Sequence, residues 1–227
     1  ASLPVQRTSP NASRPYDVLV SFALATWCDG SRFAHINRLR EDPVLVELFG
    51  VQRVVSDDTV RRLFRSLDTA QAGDWIAEAT RGLWRALPER FILDWDSTVQ
   101  TRYGHQEGAE VGYNPHKHGR RSHHPLLAVV AGTRLCPYYR WRPGKMGTAA
   151  QWIEAMEQAQ RWTGRTPWLN RGDIGFCSEE LIRWHEAPNR PNYLFKLRLT
   201  KKVKATLAAL DEADWQGCPT PGVLQTA

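Results

Sequence analysis

The sequence predicts an α/β protein whose mixed sheet is flanked by helices and preceded by an all-α N-terminal region. Three observations carry this. Between residues 16 and 87 apolar residues recur at helical spacing, after Pro88 the period shortens to that of strands, and from Thr148 onward apolar runs alternate with capped helical stretches. At 227 residues the chain is long enough for one large domain or two small ones, each with its own core.

Residues 1–15 hold three prolines and no apolar period, which predicts a flexible arm. Residues 16–88 follow as a helical region. Leu19, Phe22, Ala23 and Thr26 form a stripe, and the next stretch carries Ile36 and Leu39. Ser56 is placed as an N-cap, with Asp57 and Asp58 in the first turn and Val60, Leu63, Phe64 and Leu67 at helical spacing. Asp74 is read as the cap of a last helix with Ile76, Ala79, Leu83 and Leu87 inward, and Pro88 closes it.

A strand is predicted at 91–97, then a polar segment at 99–124 with little to pack. The run 125–131 reads as a buried strand, and Gly132-Thr133 turns it into 135–142 as a hairpin. Thr148 and Gln151 have capping-box spacing for a helix with Trp152, Ala155, Met156 and Ala159 on one face. A strand at 167–172, a helix at 178–185, a strand at 193–199 and a helix at 201–210 complete residues 89–210. The order β-β-β-α-β-α-β-α implies a mixed sheet, and it is the order of the ribonuclease H-like fold. In that fold metal-binding acids sit on the first strand, the fourth strand and a late helix. Asp96 and Asp173 fall at the ends of the first and fourth strands here.

Composition narrows the partners. A net charge of +6 favours a polyanion. The four cysteines Cys28, Cys136, Cys177 and Cys218 form no CxxC pair, which argues against a disulfide framework or a Cys-based zinc site and suits reduced thiols in a cytoplasm. The apolar stretch from Val18 to Cys28 is too short to span a bilayer and is broken by Ser21 and Thr26, so no membrane segment is expected.

Divalent-metal chemistry on phosphates needs hard oxygen ligands on rigid elements. Asp96, followed by Ser97 and Thr98, meets that need, and Asp94 points to the same face as a second candidate. Asp173 lies in Arg171-Gly172-Asp173-Ile174-Gly175-Phe176, where small neighbours let a large ligand approach. Residues 102–124 hold five of the seven histidines together with Arg102, Lys117, Arg120 and Arg121. Zinc bound by His116, His118, His123 and His124 would lack cysteine or helical i, i+4 placement, so phosphate contact is the better reading of this loop. Arg140, Arg142 and Lys145 extend the basic character, as do Lys196, Arg198, Lys201, Lys202 and Lys204 around a helix start, where cations oppose the dipole. Trp27, Trp75, Trp84, Trp95, Trp152 and Trp184 are read as core.

With these residues assembled, the chain resembles the bacterial insertion-sequence transposases of the DDE superfamily, in the branch with a late Tyr-Arg-Glu-Lys signature. Asp96-Ser97-Thr98, the block Tyr103 to Pro115 and Gly172-Asp173-Ile174-Gly175-Phe176 carry the likeness, which runs from about Asp17 to Leu210. The stretches 40–50 and 56–67 look like the family's DNA-binding region. The resemblance implies two magnesium ions, with manganese able to substitute, Asp96 and Asp173 as catalytic metal ligands, and double-stranded DNA as transposon end and target. It further implies DNA contacts from Arg102, His116, Lys117, His118, Arg120, Arg121, Arg142, Lys145, Lys201 and Lys202, and it allows a homodimer. The family's third acid, a glutamate on a later helix, has no match: Tyr193 is not followed by the signature, and Glu179, Glu180 and Glu212 do not fit it. The expectation is therefore a truncated transposase with an incomplete core at 89–210 and a tail at 211–227 that starts a missing insertion. Such a chain would be weak or inactive alone. The alternatives are a non-catalytic DNA-binding protein that competes with or partners a full-length enzyme, and a zinc hydrolase built on the histidine loop.

Overall fold

Apolar residues at helical spacing before residue 85 and at strand spacing after it separate, in a computed structural model describing residues 3–5, 9–211 and 213, into two compact units, Ala1–Arg85 and Ala86–Ala227. Glu212, Cys218 and most of the 211–227 tail lie outside the described residues. Among the described residues no helix is long and apolar enough to cross a membrane.

The first unit is helical: α1 (Pro15–Trp27), a 3-10 turn (Phe33–Leu39), α2 (Pro43–Phe49), α3 (Asp57–Ser66) and α4 (Thr69–Trp84). Its core gathers Val18, Ala25, Ile36, Val54, Val55, Val60 and Leu63, and Leu3 and Val5 of the N-terminal arm pack against it. Ser56 caps α3 as its sequence foretold, accepting from the Thr59 N–H. The inward stripe of α1 is rotated from the expected one. Val18, Ser21 and Ala25 are buried while Phe22 and Trp27 are exposed. The reason is polar: Ser21 Oγ accepts from Val55 N at 3.0 Å and Asp17 Oδ1 from Gln52 N at 3.3 Å, so the loop backbone selects that face. α4 starts earlier than Asp74 because Asp68 caps it through the Gln71 N–H at 3.0 Å, and Ile76 and Leu83 face outward.

The second unit is built on a five-stranded mixed sheet in the order β6-β5-β1-β7-β8. Its strands are β1 (Ile92–Ser97), β5 (Leu126–Val130), β6 (Tyr138–Arg140), β7 (Leu169–Gly172) and β8 (Asn192–Phe195). β1 pairs antiparallel with β5 and parallel with β7, and β7 pairs parallel with β8. A central first strand flanked by an antiparallel hairpin and two parallel strands is the ribonuclease H-like sheet. The helices α5 (Trp152–Thr163), α6 (Glu179–Glu186) and α7 (Lys201–Ala208) complete the unit. Leu93, Trp95, Leu126, Ala128 and Val130 turn to one face, where Trp152 meets Trp95 at 5.1 Å between ring centroids. Burying each such large apolar side chain contributes roughly 1.5–3 kcal/mol. α5 begins three residues later than the capping-box spacing suggests, since Gln151 takes a left-handed conformation and makes no side-chain cap.

The segment 99–124 is more structured than its polarity implies. β2 (Gln100–Thr101), β3 (Glu110–Val111) and β4 (Arg121–His123) form a small antiparallel sheet in the order β2-β4-β3. Asn114 is its buried anchor, donating to Thr101 Oγ1 and accepting from the His116 and Lys117 N–H groups. Gly112 is required because a Cβ there would run into the Gly144 backbone.

Candidate active site

β1 and β7 run parallel in register, with Trp95 opposite Gly172, so the next residues, Asp96 and Asp173, leave adjacent strands side by side. Neighbouring strands lie about 4.8 Å apart, a separation that lets two carboxylates share one cation. Both side chains are exposed. Asp96 Oδ1 accepts from the Ser97 N–H at 2.7 Å and Asp173 Oδ1 from the Gly175 N–H at 2.9 Å. Among the described residues neither Oδ2 has a hydrogen-bond partner, and neither aspartate is in an ion pair. Gly172 makes the turn into Asp173: a Cβ on it would fall 2.7 Å from the ring of the fully buried Phe176.

Asp94 is engaged by a neighbouring arginine. Its two oxygens accept from Arg171 Nε at 2.6 Å and Nη2 at 2.7 Å, a bidentate pair across the same register. That hydrogen bonding holds the Arg171 guanidinium still more firmly in its charged form. The pair is partly exposed, so it contributes on the order of 0.2–1 kcal/mol and acts mainly by fixing both side chains.

Behind this edge lies a buried relay that the sequence reading missed. Trp95 Nε1–H donates to Asn170 Oδ1 at 3.0 Å, Asn170 Nδ2 donates to His185 Nε2 at 3.1 Å, and His185 Nδ1–H donates to the Leu181 carbonyl at 2.7 Å. Each bond fixes the direction of the next, so Asn170 ties β1, β7 and α6 together just beneath the two aspartates. Burial lowers the His185 pKa, the nearby Arg190 charge adds to that, and the Leu181 hydrogen bond opposes it. The neutral imidazole is the form the relay requires. An amide inside an otherwise apolar strand was the available signal.

Most of the basic residues expected at a phosphate surface are exposed. His116, Lys117, His118 and Arg120 sit on the loop between β3 and β4, with Arg121 on β4 and Lys201 and Lys202 in the first turn of α7. Arg102 is half-buried, donating to His123 Nδ1 and Gln100 Oε1 and lying 5.2 Å above the Trp141 ring. Lys145 is exposed but pairs with Glu110 at 2.9 Å. Arg142 requires a correction. It is only 2% exposed, and its guanidinium donates to the carbonyls of His124, Thr148 and Ala150 and to Ser97 Oγ. Burial lowers its pKa. Arg142 is an internal brace beside Asp96 and cannot reach a surface phosphate.

The zinc reading does not survive the geometry. His123 uses Nδ1 to accept from Arg102 and Nε2 to donate to the Glu107 carbonyl, while His124 is buried against the Met146 carbonyl. Among the described residues no group of three His, Cys, Asp or Glu side chains is placed to hold a metal. Cys28, Cys136 and Cys177 are free thiols.

Residues 4–220 match the family model described as transposase DDE domain group 1. Among solved structures, a piggyBac transposase synaptic complex with hairpin DNA is similar at 15% identity and a TM-score of 0.44, over 86% of this chain. The chain spans 45% of the length of that piggyBac chain. A Mos1 transposase paired-end complex with the left transposon end is similar at 14% identity and a TM-score of 0.32, over 93% of this chain and 76% of that one. A search of the curated proteins finds no match.

Proposed function

Because the chain belongs to the transposase DDE domain family, we propose that it carries the two-aspartate portion of a DNA-transposing active site and the basic surface that presents DNA to it. The observation that carries this reading is the placement of Asp96 and Asp173 at neighbouring parallel strand ends, exposed and, among the described residues, in no ion pair. Two such carboxylates are the hard oxygen donors that Mg2+ or Mn2+ takes. Asp96 and Asp173 would hold the cations. Divalent cations bound there would neutralise phosphate charge and lower the pKa of a bound water.

In the proposed reaction a water oxygen attacks phosphorus at the transposon end and the bond from phosphorus to the 3′ oxygen breaks. The water gives up a proton and the departing 3′ oxygen gains one. The freed 3′ hydroxyl then attacks a phosphodiester of the target in the same way. Arg102, His116, Lys117, His118, Arg120, Arg121, Lys201 and Lys202 hold the double-stranded DNA backbone, with Lys145 joining them when it leaves Glu110. This surface supports association but carries no base specificity by itself.

The lack of a three-carboxylate group among the described residues supports a second reading, a non-catalytic DNA-binding protein that competes with or partners a complete enzyme. Strand nicking of a duplex bearing a transposon end, with Mg2+ or Mn2+, separates the two. The first reading expects weak cleavage that disappears in Asp96→Ala and Asp173→Ala while DNA affinity persists. Steeply salt-dependent binding without cleavage supports the second, and no affinity at low salt removes both.

A further inference from the structure

The register that sets Asp96 beside Asp173 continues to the edge of the sheet. Gly172 lies opposite Phe195, and the Lys196 N–H donates to the Gly172 carbonyl at 3.3 Å, so Asp173 and Lys196 follow as neighbours. Asp96, Asp173 and Lys196 therefore follow one another in a row across the ends of three adjacent parallel strands.

Alternation decides which way Lys196 faces. Phe195 turns towards the helices, its ring 5.2 Å from His185 and 6.3 Å from Trp152. Lys196 consequently shares the opposite face with Leu194 and the Asp94–Arg171 pair. A cavity of about 450 Å³ opens on that face, lined by Asp94, Arg171, Asp173, Leu194 and Lys196 among others. Arg171 is committed to Asp94 through both oxygens. Lys196 is exposed and, among the described residues, in no ion pair.

An ammonium one strand away from a cation-binding carboxylate would repel the cation unless an anion lay between them. A phosphodiester has that charge and two non-bridging oxygens to divide between the two sides. We propose that Lys196 is a catalytic residue that binds a non-bridging oxygen of the phosphodiester presented to Asp96 and Asp173, in the cavity beside Arg171. This rests on the two-aspartate reading above. It gives Lys196 a role different from that of the exposed lysines of α7, which meet the backbone of flanking DNA.

The test uses Mn2+ and the dinucleotide thymidylyl-thymidine as probes on the full chain. Free Mn2+ is followed by electron paramagnetic resonance with and without the dinucleotide, for the wild type, Lys196→Met, Lys196→Arg and Asp96→Ala. In the wild type each probe should tighten the other. Lys196→Met should bind Mn2+ alone at least as well as the wild type, lose that mutual tightening by roughly tenfold or more, and regain part of it as Lys196→Arg. Thermal midpoints should match, because the substituted side chain is exposed. Mn2+ binding that is lost in Asp96→Ala together with tightening that is unchanged in Lys196→Met overturns this inference alone. Mn2+ binding indifferent to Asp96→Ala overturns the two-aspartate reading and this inference with it.

Discussion

Arg142→Met converts the corrected role of Arg142 into a measurement. Methionine keeps most of the aliphatic length while removing every donor. The His124, Thr148 and Ala150 carbonyls and Ser97 Oγ then face an apolar group. A buried acceptor left without its partner costs about 1–3 kcal/mol, and three carbonyls set a gross loss of roughly 3–9 kcal/mol. Two effects reduce it. The cation was buried without a carboxylate partner, so its removal relieves desolvation, and the loop at 143–151 can shift to admit water. A net loss of about 3 kcal/mol is the working figure. For a protein of this size that lowers the thermal midpoint by roughly 6–12 °C. Differential scanning calorimetry reads the shift, and duplex DNA affinity is measured below the transition. A midpoint within about 2 °C of the wild type, combined with weakened DNA binding and a shallower salt dependence, would refute the reasoning and return Arg142 to the surface.

Two further outcomes follow from the site's surroundings. Gly172→Ala places a methyl against the Phe176 ring, which is fully buried, and should destabilise the second unit by about 1–3 kcal/mol in urea unfolding; an unchanged midpoint would show that the ring can move aside. His185 has a folded-state pKa below its unfolded value near 6.5, so as pH falls through that value the unfolded chain takes up a proton that the folded chain resists. Wild-type stability should therefore fall on acidification below pH 6.5 by up to about 1.4 kcal/mol per pH unit. His185→Gln should be less stable at pH 7.5 and should lack that slope, and parallel pH profiles for the two proteins would show that the relay does not depend on a neutral imidazole.

Much of the fold was legible because its signals are local. Each strand of the five-stranded sheet and each helix from Ile92 to Ala208 was expected within a few residues, since an apolar run such as 126–130 or a cap such as Ser178 acts over one turn or one strand. The small sheet at 100–123 was not legible, because its strands are two or three residues long and are held by Asn114 and by close glycine packing rather than by an apolar pattern. The inward face of α1 was misread for a related reason. Hydrogen bonds that Asp17 and Ser21 accept from a loop more than thirty residues away outweigh the apolar stripe.

For the site, the sequence by itself determined which residues could do the chemistry: acids at the ends of two apolar runs, glycines around the second acid, and cations in excess nearby. Those are properties of side chains and of spacing along the chain, and no fold is needed to read them. Only the tertiary structure decided which of them lie together. The parallel register between β1 and β7 sets Asp96 beside Asp173, gives Asp94 to Arg171 and brings Lys196 into the row. Burial removed Arg142 from the exposed basic residues and made it a brace. The β1–β7 register arises from pairings 77 residues apart and the β7–β8 register from pairings 23 apart, and pairings between such separate segments are set by the energy of the whole packed unit rather than by either segment alone.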